Sequence, residues 1–443
     1  MQRATISMFA QLVQSMGCKL EFQHLVNKHQ SDKASKGFSS WSQFIAMLFC
    51  QLTGAESLKE ISDGLFSSLG KLNHIGAKAA CRSTLGYVNQ NRPYKLYEDF
   101  YYVLPDKFRH EIQGRLSERF TKPVYSLDST TISLCLRLFE WAHHRRRKGG
   151  IKLHTLLNND LCFVETPAKV SDIKGAKSIL ENIPKGSIVV MDRGYNDYSL
   201  FKRLSEKGVT FVTRLKDNAV HTPLRKGLIQ EDPDKKWGLY EMSFTGTQAR
   251  KHCEDMRFRV VQWYDEKTDR WFEFLTNSKE LTAPEVADLY KERWQIELFF
   301  KRIKQNLVIK SFIGTTENAV MTQIWTAAIA ILLLELLRRR SRYNWTFCRL
   351  ARYFKLNLMT CKSLEHWLNK PDIKGWESPP ESSQGCLFLG EGVDSPFRLR
   401  QTVNPDKFRW QVLKSNYFGQ RCSSLQTKSY FINDLGKAQR NFC

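Results

Sequence analysis

Acidic side chains are in short supply in this sequence. Its 45 Asp and Glu face 68 Lys and Arg, for a formal net charge of +23 over 443 residues. This balance points to an anionic partner, nucleic acid first and an acidic membrane surface second. The eleven cysteines are scattered from Cys18 to Cys443. They form no CxxC pair and no Cys/His cluster with zinc-ligand spacing, so a structural zinc module is not expected. A signal peptide is not expected at the N-terminus, and the thiols are expected to be reduced, in a cytoplasmic protein. No internal repeat is visible.

Long apolar runs are nearly absent as well. The exception is Ala319–Leu337, which is broken by Thr322, Gln323, Thr326 and Glu335 and followed by Arg338–Arg340. That pattern predicts the buried helix of a large α/β protein rather than a membrane span. Positive charge concentrates around it. Between Lys301 and Lys370 there are thirteen Lys and Arg against three Glu and no Asp, as a phosphate-binding surface requires.

The apolar and aromatic content is that of a globular chain, and the length suggests about two to four domains. Residues 1–115 read as helical, with Phe9, Leu12, Val13, Met16 and again Phe44, Met47, Leu48, Leu52 at helical spacing. The polar, basic stretch Arg82–Tyr94 suits either a DNA-facing element or an ordinary structural helix. From Lys122 the period changes. Pro123–Leu127 reads as a short buried strand with Asp128 at its end, and Lys152–Leu157 and Cys162–Val170 as two more. A helix over Ile173–Asn182 follows, then the strand Ile188–Met191 with Asp192 at its end. Tyr198–Lys207 is a second helix, closed by Gly208, and Thr210–Leu215 a fifth strand. This order predicts an α/β fold with a mixed sheet. It resembles the order of the ribonuclease-H-like fold, which implies an antiparallel meander of the first three strands, parallel crossovers after them, and first and fourth strands as neighbours that would bring Asp128 and Asp192 together. Gly238–Phe244, Arg257–Tyr264 and Trp271–Leu275 read as the strands of a β-rich insertion.

The most informative stretch is Pro284–Leu307, expected to form one helix. Thr282 and Glu285 have capping-box spacing, and Pro284 suits the first turn. At about 100° per residue, Val286, Leu289, Ile296, Phe299, Phe300, Ile303 and Leu307 share an apolar face. Tyr290, Arg293, Glu297 and Lys304 fall on a neighbouring edge within about 60°. Such an edge is either a solvated face with ordinary ion pairs or a metal-binding glutamate set among phosphate contacts.

Tyr, two residues, Arg, three residues, Glu, six residues, Lys resembles the signature helix of the IS-four family of bacterial insertion-sequence transposases. The segments Asp128-Ser129-Thr130 and Asp192-Arg193-Gly194-Tyr195 match the same family, and the likeness spans roughly residues 1–370. It implies a ribonuclease-H-like catalytic core with a DDE triad of Asp128, Asp192 and Glu297. The resulting layout is a helical, DNA-binding domain at 1–115, core at 116–215, β-rich insertion at 216–277, core again at 278–345, a basic helical region at 346–375 and a tail at 376–443.

Three hard oxygen donors suit Mg²⁺, with Mn²⁺ as substitute. Two such ions about 4 Å apart support in-line phosphoryl displacement. Arg293 and Lys304 are candidate phosphate contacts and Tyr290 a donor to one. The basic run that includes Arg146, Arg147 and Lys148 either tracks a DNA backbone or is a solvated loop. His154 is expected to be a packed strand residue. One of Trp237, Trp263 and Trp271 either stacks on a flipped base or packs in the core. The implied activity is cut-and-paste transposition, on double-stranded DNA comprising terminal inverted repeats and target, by a homodimer in the bacterial cytoplasm with no membrane association. A Mg²⁺-dependent nuclease of the same fold and a catalytically dead DNA-binding relic are the alternatives.

Overall fold

The computed structural model describes residues 4–371, except single positions and short stretches such as 109–110, 112–119, 135–137, 146–147, 159–161, 166–171, 224–229, 232–235 and 307–310. The tail expected at 376–443 lies outside the described residues.

Six helices come first: α1 (Met8–Met16), α2 (Lys19–Lys28), α3 (Ser40–Thr53), α4 (Leu58–Phe66), α5 (Arg82–Asn91) and α6 (Lys95–Lys107). Local chemistry sets their ends. Ser7, Ser39 and Ser57 accept from backbone N–H groups at the starts of α1, α3 and α4. Gly17 and Gly54 close α1 and α3 in the left-handed conformation. From Ser40 to Leu52 every residue of α3 is buried, because helices surround it.

The sheet follows: β1 (Val124–Leu134), β2 (His143–Arg145), β3 (Lys148–Asn158) and β4 (Cys162–Glu165). Helix α7 (Asp172–Ile179), running on as a 3₁₀ turn over Leu180–Asn182, leads to β5 (Ile188–Met191). Helix α8 (Tyr198–Glu206) leads to β6 (Thr210–Arg214). Next come β7 (His221–Pro223), β8 (Gln230–Glu231), β9 (Trp237–Phe244), α9 (Thr247–Cys253), β10 (Phe258–Asp265) and β11 (Arg270–Thr276). Strand order is β2-β3-β1-β5-β6-β11-β10-β9-β7, with β4 on β3 and β8 on β9. β1 is antiparallel to β3 and parallel to β5, and β5 is parallel to β6. The expected meander and the expected neighbours are therefore present. The strands expected as an insertion continue the same sheet through the antiparallel pair β6–β11.

Helices α10 (Ala283–Glu292), α11 (Trp294–Asn306), α12 (Glu317–Arg340), α13 (Phe347–Asn357) and α14 (Leu364–Asn369) complete the described chain. α12 is long and apolar enough to cross a membrane, but it lies buried against the helices of both chain ends, and Thr322, Gln323 and Thr326 are fully enclosed with it. The helices of the N- and C-terminal regions share one core. Gln11 donates to the Lys362 carbonyl, and Phe9 N–H to the Leu358 carbonyl. This core also takes in Ile132, Leu153 and Leu157 on one face of the sheet, with Ile296, Phe299 and Phe300 of α11. A second core on the opposite face gathers Leu127, Leu156, Val189 and Met191 under α7, α8 and α9.

Three local expectations are corrected. The helix expected over Pro284–Leu307 is two helices that break at Arg293. Arg293 N–H reaches back to the Tyr290 carbonyl and Ile296 N–H to the Arg293 carbonyl, both three residues back rather than four. Asp128 does not end its strand, because the ladder with β3 runs on to Leu134. The strand expected to begin at Lys152 begins at Lys148, which pairs with Arg145 of β2.

Candidate active site

Strand pairing places the two aspartates. Leu127 and Met191 are register partners in the parallel pair β1–β5, so Asp128, the next residue of β1, and Asp192, the first residue past β5, stand side by side. Side chains alternate along β1. Asp128, Thr130 and Ile132 therefore face α11, while Leu127 and Ser129 face α7. The hydrogen bonds agree. Lys304 of α11 donates to Thr130 Oγ1 at 2.5 Å, and Ser129 Oγ donates to Asp172 of α7 at 2.5 Å.

The glutamate arrives on α11. The capping box at Thr282 and Glu285 starts α10 as expected, and Val286, Leu289, Ile296, Phe299 and Phe300 are buried. Ile303 and Leu307 have side chains outside the described residues. Arg293, at the break, donates from Nη2 to Glu297 Oε1 at 2.7 Å, and its Nη1 stands 3.7 Å from Asp128 Oδ2. Its guanidinium lies over the Tyr290 ring, 5.5 Å from the centroid. Burial disfavours the guanidinium charge, but Tyr290, Glu297 and Asp192 around it push its pKa above the ordinary value.

Asp128 is in the opposite situation. Burial pushes its carboxyl up to about 6; the Ser129 N–H and Arg293 pull against this, and Asp192 and Glu297 add to it. Asp192 and Glu297 thus both act on Asp128, with Arg293 as the cation among the three. Asp128, Ser129, Glu297, Phe300, Lys301 and Lys304 line a cleft of about 450 Å³ open to solvent. Burial lowers the Lys304 ammonium below its usual range.

The donor chemistry fits a hard divalent cation. All three candidates are carboxylates, and mutual repulsion at Asp128 is what such an ion relieves. The side chains are not a closed cage. Among the described residues no three of His, Cys, Asp and Glu stand close enough to hold one ion together.

The remaining candidates fall in different places. Tyr290 is 6 % exposed, packed on Phe274 at 4.8 Å between centroids and under the Arg293 guanidinium. Arg146 and Arg147 lie outside the described residues, and of Lys148 only its place at the start of β3 is described. His154 is fully buried on β3, facing Gly175. Trp237 and Trp263 pair across β9 and β10, whereas Trp271 is 54 % exposed beside Tyr264. In α5, Arg82, Ser83, Gln90 and Asn91 are exposed, while Asn89 accepts from Gln43 inside the helical core.

Sequence reasoning missed Lys301, which is exposed and lines the cleft. It follows Glu297 by four residues, about 20° beyond the arc that held the other four. Asp172 and Lys152 were also missed. Both lie behind Asp128, where the register of β1 against β3 sets Lys152 opposite Thr131 and a hydrogen bond from Ser129 meets Asp172 of α7.

Residues 119–333 match the family of transposase DDE domains, and residues 4–78 match a domain of unknown function. Among curated proteins, the chain is 28 % identical over 247 residues to the "Probable transposase for insertion sequence element IS5377" of Geobacillus stearothermophilus. That match covers 55 % of this chain and 65 % of the relative. It is 28 % identical over 302 residues to the "Putative transposase for insertion sequence element IS4SA" of Synechocystis, covering 65 % of this chain and 81 % of the relative.

Proposed function

We propose that this chain, marked by its transposase DDE domain and its relatives as a bacterial insertion-sequence transposase, performs cut-and-paste DNA transposition with Asp128, Asp192 and Glu297 as its catalytic carboxylates. One observation supports the reading: Asp128 and Glu297, both named from motif spacing, line one cleft although they come from β1 and α11, and Asp192 follows the strand beside β1 and adds to the charge acting on Asp128. The sheet order, with β1 between an antiparallel and a parallel neighbour, supports a ribonuclease-H-like core.

Asp128, Asp192 and Glu297 would hold Mg²⁺ or Mn²⁺, which when bound supplies Lewis-acid activation of water or a 3′-OH and neutralises charge at the leaving oxygen. The protein's own residues do the rest. Lys301 and Lys304, on the rim of the cleft, grip phosphates flanking the scissile bond. Tyr290 and Phe274 fix the Arg293 guanidinium so that it balances the carboxylates until a cation and DNA arrive. The exposed polar face of α5 and the net charge of +23 supply a surface for the double-stranded element ends. A homodimer would bring two ends together, in the cytoplasm, where DNA is accessible.

The test is to incubate the protein with labelled element-end DNA, target DNA and Mg²⁺. Strand-transfer products support the proposal. Cleavage without joining identifies a nuclease, and a shifted but uncut band a binding protein; either result overturns it.

A further inference from the structure

Behind Asp128, on the face of the sheet away from Glu297, lies a second polar group. Ser129 Oγ donates to Asp172 Oδ1, and Lys152 Nζ donates to Asp172 Oδ2, both at 2.5 Å. Lys152 is largely enclosed, its side chain 16 % exposed. Tyr195, buried at the turn after Asp192, faces the same spot, where burial and the charges of Asp128, Asp172 and Asp192 push its phenol pKa up.

α7 is packed closely against the sheet here. Gly175 sits so close to His154 that an added Cβ would lie 2.6 Å from the ring. His154 is the register partner of Ser129. Asp172, in the first turn of the same helix, is therefore seated over the residue that follows Asp128. Ser129 in turn sends its backbone N–H to Asp128 Oδ1 at 2.7 Å. One side of Ser129 is tied to Asp172 and the other to the Asp128 carboxylate.

We infer that Asp172 is a positioning residue: acting through Ser129, it fixes the backbone N–H that orients the Asp128 carboxylate, while Lys152 holds Asp172 in place. The inference rests on the reading of Asp128 as a metal-holding carboxylate. Outer partners of this kind orient ligands at metal sites, and their loss weakens metal affinity. Asp172 touches neither DNA nor the reacting atoms in this account.

The test is a titration of Mn²⁺ into the full chain without DNA, following free Mn²⁺ by electron paramagnetic resonance. Asp128→Asn should abolish binding at the site. Asp172→Ala should weaken Mn²⁺ binding about tenfold, and Ser129→Ala should do the same. Their double variant should be no weaker than either single, because both cut one link. Asp172→Asn keeps an acceptor for Ser129 and should recover most of the affinity. Should Asp172→Ala fail to fold, Ser129→Ala carries the test, since it removes one hydroxyl. Wild-type affinity in both single variants, multiplying losses in the double variant, or Mn²⁺ binding indifferent to Asp128→Asn would each overturn the inference. Wild-type protein that binds Mn²⁺ through Asp128 but does not cut element ends sinks the transposase reading and leaves the positioning role standing.

Discussion

Arg293 Nη2 lies 2.7 Å from Glu297 Oε1, four residues further along, across the break between α10 and α11. Arg293, a candidate phosphate contact, is only 12 % exposed and is paired with the Glu297 carboxylate. Breaking such a pair leaves carboxylates uncompensated, at a cost discounted here because Glu297 is 35 % exposed. Arg293→Gln should lower unfolding free energy by roughly 2 kcal/mol in urea melts. Lys304→Gln should cost less than about 1 kcal/mol. It should weaken binding of element ends and reduce the slope of log K against log salt by about one unit. Equal stability losses for the two variants would contradict this division of labour.

Asp128 gives a pH-dependent prediction. Its carboxyl is raised from 3.8 to about 6, so the folded protein holds that proton more tightly than the unfolded chain. The resulting stability is fully present below pH 3.8 and is lost as pH rises through about 6. Asp128→Asn is neutral throughout. In EDTA it should match the wild type near pH 4 and become more stable above pH 6, by up to about 3 kcal/mol. Urea melts at several pH values measure the gap, and one that does not open with pH would contradict the burial of this carboxylate.

Gly175 tests how α7 is seated. Alanine inside a helix ordinarily gains about 1 kcal/mol over glycine. Here the new methyl meets the His154 ring at 2.6 Å, and the buried strand leaves the ring no room. Gly175→Ala should therefore destabilise by about 1–3 kcal/mol. A higher melting temperature would show that α7 stands off the sheet.

What the sequence made legible follows from local signals. Ile188–Met191 is four apolar residues closed by Asp192, and the strand ends where it was expected. Thr282 and Glu285 form the capping box that their spacing announces. The break at Arg293 has no local marker, since neither Gly nor Pro is near; it accompanies the burial of Arg293 between Tyr290 and the carboxylates. The apolar run of β1 ends at Leu127, and nothing local signals that the strand continues. Ser129, Thr130, Thr131 and Ser133 stay in the strand through pairing with β3, a partner distant in sequence. Asp172 was invisible for the same reason: its link to Ser129 spans 43 residues.

Glu297→Gln measures the central claim most directly. Glutamine keeps the shape and helix propensity of the side chain, so α11 should form. It removes the charge needed to hold a cation and to stabilise the transition state. Binding of element ends should persist or tighten, because repulsion between the carboxylates and phosphates falls. With labelled element-end DNA and saturating Mg²⁺, the account predicts loss of cleavage by at least about 10³-fold with end affinity retained. Cleavage at most of the wild-type rate would make Glu297 an ordinary partner of Arg293 and contradict the assignment of this site.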